Sequence, residues 1–138
     1  MTEHTLARIQ VPRVALASMN ATHAEELDII ERLLAALKAD DAAATQAAAR
    51  DFLAHVEEHF SREERLMEQY GFPPYPIHKA EHERMRQQVA RACAALDAPP
   101  GRAALLRFLR EEFLPWLQGH VATMDTATAH FLAMQGAE

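Results

Sequence analysis

Histidine is frequent in this sequence of 138 residues, which contains eight of them. Two pairs of polar residues stand four apart, His59 with Glu63 and His78 with His82. On a helix, residues four apart project from the same face about one turn apart, so each pair can offer two ligand atoms to one site. Imidazole nitrogens and carboxylate oxygens are both ligands that transition metals accept. The two pairs therefore indicate metal coordination.

Three further residues extend the pattern: His23, His120 and Asp125, which follows His120 by five positions. Both histidines fall on the apolar stripe of a predicted helix, where an unpaired imidazole is costly. The full set of five imidazoles and two carboxylates is too large for one tetrahedral zinc ion. It suits two iron ions, which carboxylates can bridge while neutral imidazoles supply the remaining bonds. A single inward histidine is more often a hydrogen-bonded core residue, so the inference depends on the whole set.

The elements that must position these groups are predicted to be helices. Only four glycines are present, and no segment alternates apolar and polar residues as a strand would. The first helix is expected to begin at Asn20 as its N-cap and to run to about Lys38. Asp40 and Asp41 can cap the second helix, which should stop at Gly71.

Prolines and glycine delimit the remaining two helices. Pro76 suits the first turn of the third helix, which should continue to about Leu96. The run Ala98–Gly101 is expected to break the chain before the fourth helix. Pro115 lies well inside that fourth helix and should kink it or divide it in two.

These helices predict an all-α fold, an antiparallel up-down four-helix bundle with short connections. Residues 1–19 are expected to form an irregular N-terminal arm, and residues 20–138 the single bundle domain. The inward stripe of the first helix is expected to consist of Met19, His23, Leu27, Ile30, Leu34 and Leu37.

Composition excludes several classes of function. The formal net charge of −6 argues against general nucleic-acid binding and against anionic membrane surfaces, because both require a cationic face. The single cysteine, Cys93, excludes an intramolecular disulfide and a cysteine-rich metal site. No apolar run approaches the roughly 20 residues of a membrane span, and no signal peptide is recognised at the start. We therefore expect a cytoplasmic protein.

At its histidine-containing segments the sequence resembles the hemerythrins, and within them the bacterial single-domain type. The segments that carry the resemblance read NATH at 20–23, HFSREERLM at 59–67, HKAEH at 78–82 and WLQGHVATMD at 116–125. They span most of the chain in the order H, HxxxE, HxxxH and HxxxxD. The resemblance implies an oxo- or hydroxo-bridged non-haem di-iron centre that binds dioxygen reversibly, for oxygen carriage, storage or sensing.

The resemblance also implies a division of the ligands between the two iron ions. His78, His82 and His120 would hold one ion, and His23 and His59 the other. The two ions would be bridged by two carboxylates, Glu63 at the end of the HxxxE motif and Asp125 at the end of the HxxxxD motif. One iron would then remain five-coordinate, with an open position for oxygen.

Three apolar residues are candidates for the walls of an oxygen pocket: Ile30, Phe60 and Trp116. Each is equally well explained as an ordinary core residue. Oxygen-activating di-iron enzymes in four-helix bundles use mostly glutamate ligands. A centre rich in neutral imidazole is expected to be less inclined to further oxidation chemistry, which favours a carrier over an enzyme.

Two alternatives stay open. The first is a di-iron redox enzyme or stress protein that handles peroxide, nitric oxide or iron. The second is a metal-free or zinc-bound helical interaction module. Any sensing role would require a protein partner that the sequence does not identify.

Several polar residues near the motifs have no assigned role. Glu26 is expected to be a solvated surface residue, although as an iron ligand it would close the open position. His55 and Glu64 are expected at the surface or at the edge of the centre. His4 and His130 lie outside the motifs and are expected to have no part in the site.

Overall fold

Four helical rods make up the part of the chain that the computed structural model describes, residues 11–138. The first three rods are single helices: α1 (Ala17–Lys38), α2 (Ala42–Tyr70) and α3 (Tyr75–Cys93). The fourth rod, residues 99–134, contains three α-helices: α4 (Pro99–Phe108), α5 (Leu114–His120) and α6 (Thr126–Met134). None of the described residues forms a strand. The predicted all-α four-helix bundle is confirmed.

Rods that follow one another along the chain lie side by side. Helix α1 packs on α2, α2 on α3, and α3 on α4, while α4 also contacts α1 and α6 contacts α2. The apolar core between the rods contains Phe52, Phe60 and Phe113, all fully buried. Within residues 11–138, none of the helices combines the length and apolar character that crossing a membrane demands.

The caps of α2 and α3 agree with the sequence prediction. The side chain of Asp41 accepts a hydrogen bond from the Ala44 amide at 3.0 Å and so satisfies one free N–H of the first turn. Gly71 ends α2 with a left-handed φ of 70°, which a residue without a Cβ adopts at little cost. Pro76 lies in the first turn of α3, where its missing N–H has no helical partner to lose.

The start of the first helix differs from the prediction. Helix α1 begins at Ala17 and not at Asn20, and the extended residue Leu16 precedes it. The Asn20 side chain instead accepts from the Val14 amide at 2.8 Å and donates to the Val14 carbonyl at 2.9 Å. It therefore anchors the segment before α1. Residues 1–10 of the predicted arm, which include His4, lie outside the described residues.

The connection between the third and fourth rods lies about three residues earlier in the chain than predicted. Helix α3 ends at Cys93, before Leu96, and α4 already begins at Pro99. Gly101 thus lies inside α4 and does not break the chain. A Cβ at this position would stand 1.7 Å from the carbonyl oxygen of Ala95, so the close approach of the two backbones requires glycine.

Two five-residue π-helical segments interrupt the fourth rod, Leu109–Phe113 and Val121–Asp125, on either side of α5. Pro115 lies in the first turn of α5, directly after the first segment. Because proline has no N–H and collides with the preceding turn, a regular α-helical ladder cannot continue through it. The prediction that Pro115 divides this rod is confirmed, although the sequence did not predict the π geometry.

Candidate metal centre

The structure brings all seven predicted ligands together inside the bundle. Each rod contributes at least one of them, and every one is buried, with His120 the most exposed at 5%. The set consists of His23 on α1, His59 and Glu63 on α2, His78 and His82 on α3, and His120 and Asp125 on the fourth rod. So many polar groups in a core require partners or a bound cation.

Five of the residues form one group of ligand atoms, all within 4.8 Å of one another. The Nε2 atoms of His78 and His120 lie 3.0 Å apart. Asp125 Oδ1 lies 3.1 Å from the Nε2 atom of His78 and 3.2 Å from that of His120. Glu63 Oε1 lies 3.3 Å from His82 Nε2. These atoms surround one position in the core.

A second group, within the same 4.8 Å limit, consists of His23, His59, Glu63 and Asp125. His23 Nε2 lies 3.1 Å from Asp125 Oδ2 and 3.7 Å from Glu63 Oε2. His59 Nε2 lies 2.8 Å from Glu63 Oε2. Glu63 and Asp125 therefore belong to both groups. Each carboxylate presents one oxygen to the first group and its other oxygen to the second.

This arrangement fits a pair of cations. Two ligand atoms at about 2.1 Å from one ion and at right angles to each other stand about 3 Å apart, which is the spacing found here. Among residues 11–138, three ligand atoms have no hydrogen-bond partner: His82 Nε2, Glu63 Oε1 and Asp125 Oδ1. Buried atoms of this kind are expected to be satisfied by something other than protein. The cluster can therefore hold metal.

The second π-helical segment explains how His120 and Asp125 reach the same position. Five residues of an α-helix turn through about 500°, which would leave Asp125 about 140° away from His120. The segment Val121–Asp125 has the wider π-helical turn, in which residues five apart are hydrogen-bonded neighbours. The spacing of five between these two ligands was the sequence signal for this segment.

Three imidazoles have a hydrogen-bond partner at Nδ1, the ring nitrogen that is not directed toward the centre. His59 Nδ1 lies 3.0 Å from Glu26 Oε1, His78 Nδ1 lies 2.8 Å from Thr128 Oγ1, and His82 Nδ1 lies 2.8 Å from Glu64 Oε2. Such contacts fix the orientation of the ring and direct Nε2 toward the centre. Sequence reasoning did not assign any of these three partners.

The expectation that Glu26 is a solvated surface residue is wrong, because its side chain is fully buried. It follows His23 by three positions, so it lies on the same helical face. Glu26 Oε1 contacts His59 Nδ1 and also His55 Nδ1, the latter at 2.9 Å. Burial raises the pKa of Glu26, but the charges and hydrogen bonds of His59 and His55 outweigh it and hold the pKa at about 2.

The inward stripe of α1 is accordingly rotated from the predicted one. Leu27, Leu34 and Leu37 are only half-buried, whereas Glu26, Leu33 and Ala36 are buried. The sequence prediction favoured leucines over a charged residue at the same spacing.

Protons take the place of cations in the metal-free centre. Burial lowers the pKa of His23, but the hydrogen bond to Asp125 and the nearby carboxylate of Glu63 outweigh it and raise the pKa to about 9. Burial also lowers the pKa values of His59 and His82, yet their carboxylate neighbours outweigh this effect and raise both values. The pairing also keeps the pKa values of Glu63 and Asp125 low, although burial opposes this. Metal binding must therefore release protons.

Two of the predicted pocket residues lie against ligand rings. Phe60 stacks on His82 with ring centroids 4.1 Å apart and an angle of 3° between planes. Trp116 stacks on His120 at 4.5 Å and 17°. Ile30 is fully buried in the apolar core. Their contribution to an oxygen pocket stays a prediction.

Two other residues lie apart from the ligand cluster. His130 is exposed on α6 and belongs to neither group of ligand atoms, as expected. Cys93 is half-buried at the end of α3, and burial raises the pKa of its thiol to about 11, which leaves little reactive thiolate.

Comparison with known proteins agrees with this geometry. Residues 14–129 match the model of the Hemerythrin HHE cation binding domain family. The chain is 35% identical over 123 residues to a protein named Bacteriohemerythrin from Aquifex aeolicus, which covers 89% of this chain and 94% of that protein. It is 34% identical over 122 residues to a Bacteriohemerythrin from Ralstonia nicotianae, covering 87% of this chain and 83% of the relative. The chain belongs to the hemerythrin family.

Proposed function

We propose that the cluster binds two non-haem iron ions and that the protein binds dioxygen reversibly. In this proposal His78, His82 and His120 hold one ion, His23 and His59 hold the other, and Glu63 and Asp125 bridge them. The observation that carries the proposal is the shared position of the two carboxylates. In each carboxylate, one oxygen faces the first group of imidazoles and the other oxygen faces the second group.

The chemistry of the ligand set supports iron. Five imidazoles and two carboxylates offer mixed nitrogen and oxygen coordination, and their number exceeds the needs of one tetrahedral ion. Two ferrous ions held by these residues would supply the electrons that dioxygen binding requires. The names of both relatives are consistent with this function.

The chain's own residues restrict what else can reach the centre. The ligands are buried by four rods, and Phe60 and Trp116 cover the faces of two imidazoles. Exclusion of water limits side reactions of a bound reactive molecule. This protection favours reversible binding over turnover. Cytoplasmic location, a protein partner and the choice among carriage, storage and sensing stay predictions.

The proposal is tested by loading the protein with ferrous iron and measuring both metal and gas. Elemental analysis should find two iron ions per chain, and an oxygen electrode should register one dioxygen taken up per iron pair. Evacuation should release that oxygen. Absence of iron after loading would contradict the di-iron proposal, and uptake that cannot be reversed would contradict oxygen carriage.

A chain of three polar contacts favours a second candidate, a di-iron redox enzyme that handles peroxide, nitric oxide or iron. Glu26 connects His59 to His55, and His55 Nε2 lies 3.4 Å from the exposed carboxylate of Glu25. This chain of polar groups joins the buried centre to solvent, as proton-consuming turnover would require. Steady peroxide consumption with a reductant, slowed by His55→Leu, would support the enzyme.

A further inference from the structure

Arg86 lies on α3 outside the ligand cluster but is connected to His82 in two ways. Its Nη1 and Nη2 atoms donate to the two oxygens of Glu64, each at 2.9 Å. Glu64 Oε2 in turn lies 2.8 Å from His82 Nδ1. The guanidinium also lies 5.5 Å from the centroid of the Phe60 ring, and this ring stacks on the imidazole of His82.

The geometry of this network is more specific than that of a surface ion pair. Two parallel bonds from a planar guanidinium fix both the position and the plane of a carboxylate. The Arg86 side chain is only 18% exposed, and Glu57 and Glu83 accept further hydrogen bonds from it. Arg86 is therefore itself immobilised, and it holds Glu64, whose side chain is 12% exposed, away from solvent.

We propose that Arg86 is a positioning residue that acts on His82 through Glu64. It keeps the Glu64 carboxylate on Nδ1 and the Phe60 ring on the face of the imidazole. A histidine whose Nδ1–H is donated to a carboxylate is a stronger donor at Nε2. Arg86 thereby favours the ferric state of the iron that His82 would hold. The effect on iron rests on the proposed function, whereas the effect on His82 does not.

The first test uses the metal-free protein labelled with ¹⁵N-histidine, in which NMR follows the exchange of the His82 Nδ1 proton with water. In Arg86→Gln the Glu64 carboxylate can turn to solvent. The proton should then exchange about tenfold faster, the loss expected for one charge-assisted hydrogen bond. Arg86→Lys keeps the charge but makes at most one of the two bonds, so its exchange rate should be intermediate.

The control is Arg65→Gln on α2. Arg65 pairs with Glu58 at 3.2 Å on an exposed surface, and its side chain is 63% exposed. This substitution removes the same charge and should leave the His82 proton unchanged. Equal exchange in wild type and Arg86→Gln, or equal acceleration in Arg65→Gln, would overturn the proposal.

The second test measures the midpoint reduction potential of the iron-loaded protein. Arg86→Gln and Glu64→Gln should both raise the potential, and the double variant should not exceed Glu64→Gln alone. A fall of the potential in Arg86→Gln, or a shift that persists fully without the Glu64 charge, would mean that Arg86 acts through its own field. Failure to load iron would contradict the proposed function, while the exchange experiment still decides the role of Arg86.

Discussion

Among individual residues, a histidine that faces the ligand cluster is expected to differ in function from one that does not. His78 is buried, and its Nε2 lies 3.0 Å from that of His120, whereas His130 is exposed on the same bundle. Both are histidines on helices, so alanine substitution at His130 controls for the change of residue type. A comparison of the two substitutions therefore separates the effect of a histidine's position from the effect of simply losing a histidine.

His78→Ala should lose at least one of the two iron ions, because the imidazole that Thr128 orients toward the centre is removed. The vacated volume in the core should also lower the melting temperature. Iron content per chain, measured after equal loading, checks the first result. His130→Ala should retain the full iron content. Full iron content in His78→Ala would remove that residue from the ligand set.

At the scale of elements, two glycines in the fourth rod are expected to respond in opposite ways to the same substitution. Gly101 in α4 faces the Ala95 carbonyl so closely that a Cβ there would stand 1.7 Å from it. Gly119 in α5 has no atom within 4 Å of its Cβ position that the substitution would meet. Alanine is otherwise the better helix former.

Gly101→Ala should therefore destabilise the metal-free protein by about 1–3 kcal/mol, because backbone must move to accept the methyl group. Gly119→Ala should stabilise it by about 0.5–1 kcal/mol through reduced backbone entropy in the unfolded chain. Urea unfolding followed by circular dichroism gives both values. Stabilisation by Gly101→Ala would show that the connection between α3 and α4 is looser than the structure has it.

Sequence predicted the elements where a local rule acts alone. The Asp41 cap, the left-handed Gly71 and Pro76 in the first turn of α3 each follow from one residue's own preference. The predictions from sequence were wrong where tertiary contacts determine the local structure. Asn20 has the chemistry of a helix cap, yet it bonds to the segment before α1, and α1 begins three residues earlier.

The candidate site shows the same division. The seven ligands were predictable because histidine and carboxylate recur at helical spacing, and burial of so many polar groups needs a reason. The buried position of Glu26 was not predictable, since its stabilisation comes from His55 and His59 on α2. The π-helical segment before Asp125 was signalled only by the spacing of five from His120.

At the scale of the whole molecule, the metal-free protein replaces cation charge by protons, and this gives its stability a defined pH window. His23 has a pKa of about 9 when folded, above its ordinary value of 6.5. Its contribution is complete below pH 6.5 and is lost as the pH rises toward 9. Glu26 has a folded pKa of about 2, below 4.5, so its contribution is complete above pH 4.5 and is lost toward pH 2.

The metal-free protein should therefore be most stable between pH 4.5 and 6.5 and should weaken on either side. Iron affinity should increase above pH 6.5, because the imidazoles must lose protons to bind the metal. Urea midpoints of the metal-free protein and chelator competition of the loaded protein, both measured against pH, test the pair of trends. Stability of the metal-free protein that still increases from pH 6.5 to 9 would contradict the histidine–carboxylate pairing.

We have proposed that this bundle holds two iron ions that bind dioxygen reversibly. The most direct measurement is the visible absorption spectrum of the iron-loaded, reduced protein under argon, then in air, then after renewed argon sparging. We expect a colourless protein that gains a charge-transfer band in air and loses it under argon. A direct and irreversible change to the spectrum of an oxidised centre would contradict reversible binding and would favour the redox enzyme.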